Sequence, residues 1–391
     1  MTPHHFARIR RVGIVVSLLV TSAVAARPIA KPGRLVIIGG ALESNNEAVY
    51  RAILDARSGT GPLCVIPTAA ATPDSAMAGP VANFDKFGGA GAAKGVLVSV
   101  DKPETARDPS VVSQIRACSG FFFVGGVQSR VIRAFRPDGK TSPAYEALMA
   151  RWRDGAVVSG SSAGAAVMSD PMIASGTSAG AITNGLKHTS LAKADSDDVG
   201  GAVMITTGLG FFPAALADQH FLSRGRFGRL LVALLELEHF DLGFGIDENT
   251  ALVVDGGTVW PAGASGVIVM DERGARRNGR GATGVRFHML SSGDRFDLEK
   301  RMVSLASTKH ALAKDSAAVA APKDVFARWE FLHVLDRFAR SSRTELAMPV
   351  NGGEITIRKG AGFRAVAGAA TGVQNTPSGL AMTGLSFDLR R

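Results

Sequence analysis

Residues 156–164, with the sequence AVVSGSSAG, join a short apolar run to a turn of small residues. The first half contains adjacent β-branched valines and is predicted to be a buried strand, and a helical pattern follows the turn. A strand that passes through a tight turn directly into a helix is typical of α/β proteins. This stretch therefore predicts an α/β fold class.

Similar apolar runs precede residue 156 and are separated by helical stretches. The helical stretch of residues 142–155, SPAYEALMARWRDG, has Ser142 as an N-cap candidate, Pro143 at the first helical position and Gly155 after the last turn. This alternation predicts a mostly parallel sheet with helices on both faces. Central strands are expected in RLVIIGG from Arg34, PLCVIPT from Pro62, GVLVSV from Gly95, GFFFVGG from Gly120 and AVVSG from Ala156.

The composition changes near residue 275, where Arg, Ser and Gly become frequent and the predicted strands become shorter. A chain of 391 residues also exceeds the length that one hydrophobic core usually serves. We therefore predict a main domain over residues 27–274 and a C-terminal appendage over 275–391. The appendage is expected to be α+β or β-rich, with an amphipathic helix over residues 324–341, and its role is unknown.

The first 26 residues have the organisation of a signal peptide. The basic residues Arg8, Arg10 and Arg11 precede an apolar run at 12–20, and the small residues AVA at 23–25 form a cleavage signal. We predict an exported protein, secreted or periplasmic, whose mature chain begins near Ala26 or Arg27. No later stretch reaches the ~20 apolar residues of a membrane span. The alternative to cleavage is that the apolar run at 12–20 stays attached and acts as an N-terminal anchor.

Charge and cysteine content limit the partners and the redox state. The formal net charge is +10, of which three charges belong to the signal-peptide arginines, and no basic run is interleaved with aromatic residues. These features argue against nucleic acid as a partner. Cys64 and Cys118 each lie beside an apolar run, which favours two buried thiols, although export would permit a disulfide.

The turn itself contains a candidate nucleophile. Residues 160–164, GSSAG, match the G-x-S-x-G elbow at the end of a strand and before a helix. In such an elbow Ser162 would be exposed as nucleophile, and the N–H of Ala163 would stabilise an oxyanion. The alternative interpretation is a Gly/Ser-rich turn without chemistry.

A serine nucleophile needs a histidine base and an acid that orients the base. Among the core candidates His188, His220 and His239, we favour His220 because it belongs to the polar cluster DQHFLSRGR, residues 218–226. The acid candidates are Asp218, Asp247 and Glu248, and we favour Glu248. The resulting order of Ser, His and acid along the chain differs from that of α/β-hydrolases and argues against a lipase or esterase.

Several separated motifs resemble those of the cyanophycinases, relatives of the peptidase E aspartyl dipeptidases. The motifs are VIIGG with Glu43 shortly after, FFFVGGVQ, SGSSAGAAVMS, GLGF followed by DQHFLSRGRFGRL, and GFGIDENTAL. The resemblance covers roughly residues 34–270 and implies a flavodoxin-like sheet of the class I glutamine amidotransferase type. It also implies Ser162 as nucleophile, His220 as base and Glu248 as orienting acid. The turn Gly125-Gly126 before Gln128 is expected to add the Gly126 N–H to that of Ala163 at the oxyanion.

The resemblance further implies a substrate, cyanophycin, which is a polyaspartate with arginine linked to each side chain. Its hydrolysis releases β-Asp-Arg dipeptides. The implied substrate-binding residues are Gln128, Asp218, Gln219, Arg224, Arg226 and Arg229. Arginine pairs bind carboxylates well, and an acid can receive a guanidinium. A homodimer is implied, and no metal or other cofactor is expected.

Two positions depart from the family pattern: Val127 stands where an acidic or amide residue is common, and Ser161 stands where threonine is common. Neither change removes a catalytic group, but the change at Val127 makes cyanophycin specificity less secure than hydrolysis itself. The alternatives are therefore an exported aspartyl or isoaspartyl dipeptidase with the same triad and a non-catalytic protein that binds acidic polymers.

Overall fold

The computed structural model describes residues 31–194, 199–315, 319–370 and 372–391. The predicted signal peptide lies outside these residues. The strands are β1 (Leu35–Ile38), β2 (Leu63–Ile66), β3 (Ala93–Gly95), β4 (Gly120–Phe123), β5 (Val157–Ser161), β6 (Met172–Ser175), β7 (Leu186–His188), β8 (Val203–Thr206), β9 (Leu216–Asp218), β10 (Leu242–Ile246), β11 (Thr250–Asp255), β12 (Thr258–Gly263), β13 (Gly266–Asp271), β14 (Arg276–Asn278), β15 (Gly281–Ser291), β16 (Arg295–Asp297), β17 (Met302–Ser304), β18 (His310–Ala311), β19 (Glu345–Val350), β20 (Gly353–Ala367) and β21 (Ala381–Arg390).

The helices between them are mostly short. They are α1 (Glu47–Leu54), α2 (Pro73–Ala76), α3 (Ala78–Gly88), α4 (Pro109–Arg116), α5 (Gln128–Phe135), α6 (Pro143–Arg153), α7 (Ala163–Ala166), α8 (Ser178–Asn184), α9 (Phe227–Leu237) and α10 (Glu330–Arg340). The predicted capping of α6 is confirmed, since the Ser142 side chain accepts a hydrogen bond from the Tyr145 N–H and Pro143 opens the helix.

The first sheet has nine strands in the order β17-β16-β12-β11-β1-β5-β4-β2-β3. The five strands from β1 to β3 in this order are parallel, whereas β1 pairs with β11 in the antiparallel direction. The predicted α/β class is therefore confirmed, and the mostly parallel arrangement holds for this half of the sheet. Its strands end at one edge, where the candidate site lies.

One predicted central strand is wrong. The run GVLVSV from Gly95 was expected to be a strand, but β3 ends at Gly95 and lies at the edge of the sheet. Val96 and Val98 are nevertheless fully buried. Their hydrophobicity therefore reflects packing in the core and not pairing in the sheet.

The largest core cluster lies beside the parallel strands. Phe121 and Phe123 of β4 pack with Phe135 of α5 and Leu148 of α6, and all four side chains are inaccessible to solvent. Burial of each such side chain stabilises the fold by roughly 1.5–3 kcal/mol. This cluster holds the strand ends that position the site.

The second sheet joins the C-terminal residues to the rest of the chain. Its main order is β18-β20-β21-β15-β13-β10-β9, and β14 and β19 pair with β15 and β20. The boundary expected near residue 275 lies between β13 and β15, which pair in register from Gly266 with Ser291 to Asp271 with Arg286. Residues 31–391 form one compact unit, so the C-terminal residues are not a separate body in this structure.

The predicted C-terminal helix begins later than expected. It was predicted over residues 324–341, but α10 begins at Glu330 because Trp329 has a left-handed backbone with φ of 64°. A left-handed residue cannot continue a right-handed helix. The preceding residues 325–329 form a turn instead.

The two cysteines form a disulfide, so the favoured interpretation of two thiols is wrong. The Cα atoms of Cys64 and Cys118 are 5.8 Å apart, and the bond links β2 to the end of α4 across 54 residues. Sequence separation alone did not reveal this contact, because β2 and β4 become neighbours only in the folded sheet.

Within the described residues, no helix is both long enough and apolar enough to cross a bilayer.

Candidate active site

The candidate nucleophile Ser162 lies between the end of β5 and the start of α7. Its backbone has φ of 56° and ψ of −111°, a combination that non-glycine residues rarely adopt. Gly160 permits this turn, because a Cβ there would lie 2.4 Å from the Gly164 carbonyl oxygen. The elbow predicted from residues 160–164 is thus present with its strained serine.

His220 follows β9 and contacts both other members of the predicted triad. Its Nε2 is 2.9 Å from Oγ of Ser162, and its Nδ1 is 2.6 Å from Oε1 of Glu248. Glu248 follows β10 along the chain. This geometry allows His220 to accept the serine proton while Glu248 fixes the ring and its tautomer.

Three consecutive carbonyls at the end of β1 hold the three loops of the triad. The Ile38 carbonyl accepts a hydrogen bond from the Ser162 N–H at 3.0 Å, and the Gly39 carbonyl accepts one from the His220 N–H at 2.6 Å. The Gly40 carbonyl accepts one from the N–H of Asn249, next to Glu248, at 2.8 Å. The end of β1 therefore sets the relative positions of nucleophile, base and acid.

Gly40 also leaves the space that the His220 ring occupies. A Cβ at Gly40 would lie 2.2 Å from Cε1 of His220, and the residue has φ of 108°. Both facts require glycine here. The sequence motif VIIGG contained Gly40, but nothing in the motif indicated its contact with the base.

The electrostatic environment keeps His220 ready to accept a proton. Burial lowers the pKa of His220, the hydrogen bond to Glu248 raises it in part, and the charges of Arg224 and Arg226 lower it further. For Glu248, burial favours a higher pKa, but the hydrogen bond and charge of His220 and the charge of Arg224 lower it overall. The pair is thus neutral imidazole with ionised carboxylate at neutral pH.

The other acid candidates have different partners. Asp247 is fully buried, and its carboxylate accepts hydrogen bonds from the N–H groups of Leu222 and Ser223 and from the Ser265 hydroxyl. Burial raises its pKa to about 6. Asp247 therefore anchors the loop that follows His220 and does not orient the ring.

The two oxyanion candidates flank the serine. Ala163 is the first residue of α7, so its N–H has no acceptor within the helix. On the opposite side a Cβ at Gly125 would lie 3.8 Å from Oγ of Ser162, which places the 125–126 turn beside the hydroxyl. The Ala163 N–H and the 125–126 turn therefore lie on either side of the hydroxyl from which an oxyanion intermediate would form.

The six residues expected to bind substrate have different environments. Asp218 and Arg229 form a buried ion pair, with Nε of Arg229 2.8 Å from Oδ2 of Asp218 and side chains 4% and 1% exposed for Arg229 and Asp218. Arg229 also donates to the Gly176 carbonyl. These two charges bind β9 to α9, so the expectation that they meet substrate directly is not supported by their contacts.

The remaining four lie closer to the surface or to the triad. Arg226 donates to the Gln219 carbonyl at 2.9 Å, and burial with the nearby charge of Arg229 lowers its pKa to about 9, which leaves it charged at neutral pH. Gln219 is buried beside His220. Gln128 donates to the Ala174 carbonyl, and Arg224 is exposed near Glu248.

Sequence reasoning missed one residue near the triad. Arg328 lies in the turn before α10, and its Nη2 is 3.9 Å from Oε2 of Glu248. Its distance from the main motifs along the chain gave no signal for this contact. In the described ranges, no three His, Cys, Asp or Glu side chains are grouped to bind a metal ion.

Several proteins of known function that resemble this chain in sequence are cyanophycinases. No family model matches the chain. A cyanophycinase of Nostoc sp. is 30% identical over 290 residues, covering 71% of this chain and 89% of the relative, and one of Trichormus variabilis gives the same values. A cyanophycinase of Synechococcus elongatus is 30% identical over 250 residues, covering 61% of this chain and 70% of its own length.

Two solved structures also resemble the chain. The crystal structure of a peptidase from an acI-B1 Actinobacterium has a TM-score of 0.49 and 18% identity, covering 69% of this chain and 98% of its own. A putative peptidase E protein from Listeria monocytogenes has a TM-score of 0.36 and 13% identity, covering 60% of this chain and 100% of its own.

The first prediction concerns pH. His220 must be neutral to act as base, so labelling of Ser162 by a neutral fluorophosphonate should fall on the acid side with a midpoint below the ordinary histidine pKa of 6.5. Glu248→Gln should move this midpoint to lower pH, because the carboxylate raises the pKa of His220. Arg224→Gln should move it to higher pH, because the guanidinium lowers that pKa. Shifts of both variants in one direction would contradict this account.

The second prediction concerns Gly40. Gly40→Ala should reduce the Ser162 labelling rate by about 100-fold or more, because the methyl group displaces the catalytic base. Gly59→Ala is the matched control, since Gly59 has φ of 87° and nothing within 4 Å of an added Cβ. Backbone strain should cost both variants roughly 1 kcal/mol of unfolding free energy, and Gly40→Ala should lose more because its methyl group also clashes with His220, as measured by urea denaturation. Equal labelling rates in the two variants would show that Gly40 does not position His220.

Proposed function

The chain belongs to the cyanophycinase family, and from this premise we propose that it is an exported serine peptidase that cleaves the aspartate backbone of cyanophycin. The observation that carries the proposal is the hydrogen-bonded series Ser162, His220 and Glu248, with separations of 2.9 and 2.6 Å. The chain is a peptidase, and the proposal adds its nucleophile, its product and its location.

In the proposed reaction His220 Nε2 takes the proton of Ser162 as Oγ attacks the carbonyl carbon of a backbone amide. The N–H groups of Ala163 and Gly126 donate to the oxygen, which becomes negatively charged. His220 then gives its proton to the leaving amine, and the C–N bond breaks. Water, deprotonated by His220, attacks the acyl ester carbon, the ester C–O bond to Ser162 breaks, and His220 returns its proton to Oγ, which releases β-Asp-Arg as the free acid and restores Ser162.

The charges around the site support an acidic substrate. Arg224 is 53% exposed and lies 4.0 Å from Glu248, and the charge of Arg226 is near enough to His220 to lower the pKa of that ring, so two cationic groups lie beside the triad. Each cyanophycin repeat offers a free carboxylate for these groups. A homodimer, which the resemblance implied, stays a prediction.

Two features support export. The sequence of residues 1–26 is that of a signal peptide, and the Cys64–Cys118 disulfide is typical of oxidising compartments. Cyanophycin is a polymer too large for import, so an exported enzyme would release products small enough to be taken up.

The third prediction tests substrate and nucleophile together. Purified mature protein should release soluble β-Asp-Arg from cyanophycin granules, and Ser162→Ala should lower the rate by about 10⁴-fold or more, as loss of a triad member does. Mass spectrometry identifies the product. Ser342→Ala, at an exposed serine in the bend after α10, is the control and should match the wild type.

Three other outcomes would change the proposal. Hydrolysis of free Asp-X or isoaspartyl dipeptides without attack on granules would indicate a dipeptidase. Granule binding without labelling of Ser162 or release of product would indicate a binding protein. Undiminished cleavage by Ser162→Ala would refute the mechanism.

The fourth prediction tests export. The mature protein recovered from outside the cytoplasm should begin near Ala26 or Arg27, as read by N-terminal sequencing. Without reductant, neither Cys64 nor Cys118 should react with iodoacetamide in denaturant, and both should react after reduction. An intact N-terminus in the membrane fraction would favour the uncleaved anchor instead.

A further inference from the structure

The turn before α10 packs directly on the loop that carries Arg224 and Arg226. The N–H of Trp329 donates to the Leu222 carbonyl at 3.2 Å. A Cβ at Gly225 would lie 2.1 Å from the Phe326 carbonyl oxygen, so the two backbones touch. C-terminal residues therefore form one wall beside the active site.

This turn has a fixed conformation. The Asp324 carboxylate accepts a hydrogen bond from the Phe326 N–H at 2.9 Å, and the Asp324 carbonyl accepts one from the Ala327 N–H. The Phe326 ring packs against Phe227, with centroids 5.1 Å apart. Trp329 is largely buried in its left-handed conformation. Arg328 consequently projects from a backbone that is held on both sides.

Arg328 and Arg224 each lie near a different carboxylate oxygen of Glu248. Nη2 of Arg328 is 3.9 Å from Oε2, and Nε of Arg224 is 4.0 Å from Oε1. Neither distance is a hydrogen bond, whereas His220 is 2.6 Å from Oε1. The guanidinium side chains are 73% and 53% exposed. Their donors thus face solvent at the entrance to the site.

The charge balance at this entrance favours an anion. Two exposed guanidinium groups accompany one carboxylate, and that carboxylate is committed to His220. Planar guanidinium groups bind carboxylates through paired, charge-assisted hydrogen bonds. A carboxylate of the substrate would meet both arginines without displacing Glu248 from the base.

We propose that Arg328, together with Arg224, binds a substrate carboxylate beside the triad, so that residues 324–329 complete the substrate-binding site. This inference rests on the proposed function, because it takes the ligand to be the free arginine carboxylate of a cyanophycin repeat. Arg328 is a specificity-determining residue supplied from outside residues 34–270, which contain the motifs of the resemblance.

The fifth prediction compares two soluble substrates: a (β-Asp-Arg)₃ trimer and the same trimer with every arginine carboxylate converted to an amide. Arg328→Gln should raise KM for the acid trimer about 10-fold, the effect of one charge-assisted hydrogen bond, with kcat within about 2-fold because the triad is intact. On the amide trimer, Arg328→Gln and the wild type should have the same KM and kcat. Arg328→Lys should fall between them on the acid trimer, since an ammonium cannot bind in the planar, paired manner.

Arg343→Gln is the matched control. Arg343 is exposed and follows the other end of α10, about 16 Å along the helix axis. It should match the wild type on both substrates. The thermal unfolding midpoint of Arg328→Gln should also equal that of the wild type, because the side chain is mostly exposed.

The outcomes separate this inference from the proposed function. If the wild type cleaves the acid trimer but Arg328→Gln leaves its KM unchanged, the inference is wrong and the proposed function stands. An equal loss of kcat on both trimers would show that Arg328 acts through Glu248 and not on the substrate, which also overturns the inference. If the wild type cleaves neither trimer nor granules, the proposed function fails and the inference fails with it.

Discussion

The site depends on three adjacent backbone carbonyls at the end of β1. Ile38, Gly39 and Gly40 accept hydrogen bonds from the loops that carry the proposed nucleophile, base and acid. Those loops come from strands in two different sheets, since β5 neighbours β1 whereas β9 and β10 belong to the second sheet. One short backbone segment therefore fixes the geometry of three loops that are distant in sequence, and the absence of a side chain at Gly40 leaves room for the imidazole ring.

The features that depend on neighbouring residues in the sequence could be predicted. The elbow at Ser162 was predictable because a strand, a turn of small residues and a helix follow one another directly. His220 was identified from a polar cluster. The acid was less defined: the residues offered Asp218, Asp247 and Glu248, Glu248 was favoured among them, and the family resemblance implied the same residue. Only the structure shows that Asp247 binds backbone N–H groups while Glu248 faces the histidine.

What the sequence did not reveal depends on contacts between distant segments. Cys64 and Cys118 pair because β2 and β4 are neighbours, and Arg328 reaches Glu248 because a C-terminal turn packs on residue 225. The roles of the arginines also depend on contacts that the sequence does not reveal. Arg224 and Arg229 lie five positions apart in one motif. Arg229 nevertheless forms a buried ion pair with Asp218, whereas Arg224 faces solvent. A charge in the sequence says little about its role until its partner is known.

The backbone is strained at the three loops whose N–H groups donate to the carbonyls of residues 38–40. Ser162, His220 and Asn249, which follows the acid, all have positive φ values, of 56°, 49° and 52°. Such conformations cost about 1–3 kcal/mol each for non-glycine residues. Each is also the residue whose N–H donates to one of the carbonyls of Ile38, Gly39 and Gly40, and a hydrogen bond contributes only about 1 kcal/mol net. These three hydrogen bonds alone therefore do not offset the backbone strain. The burial of the surrounding strands must supply the remaining stabilisation. The strain persists because relaxing any one loop would break its bond to β1 and move one member of the triad away from the other two.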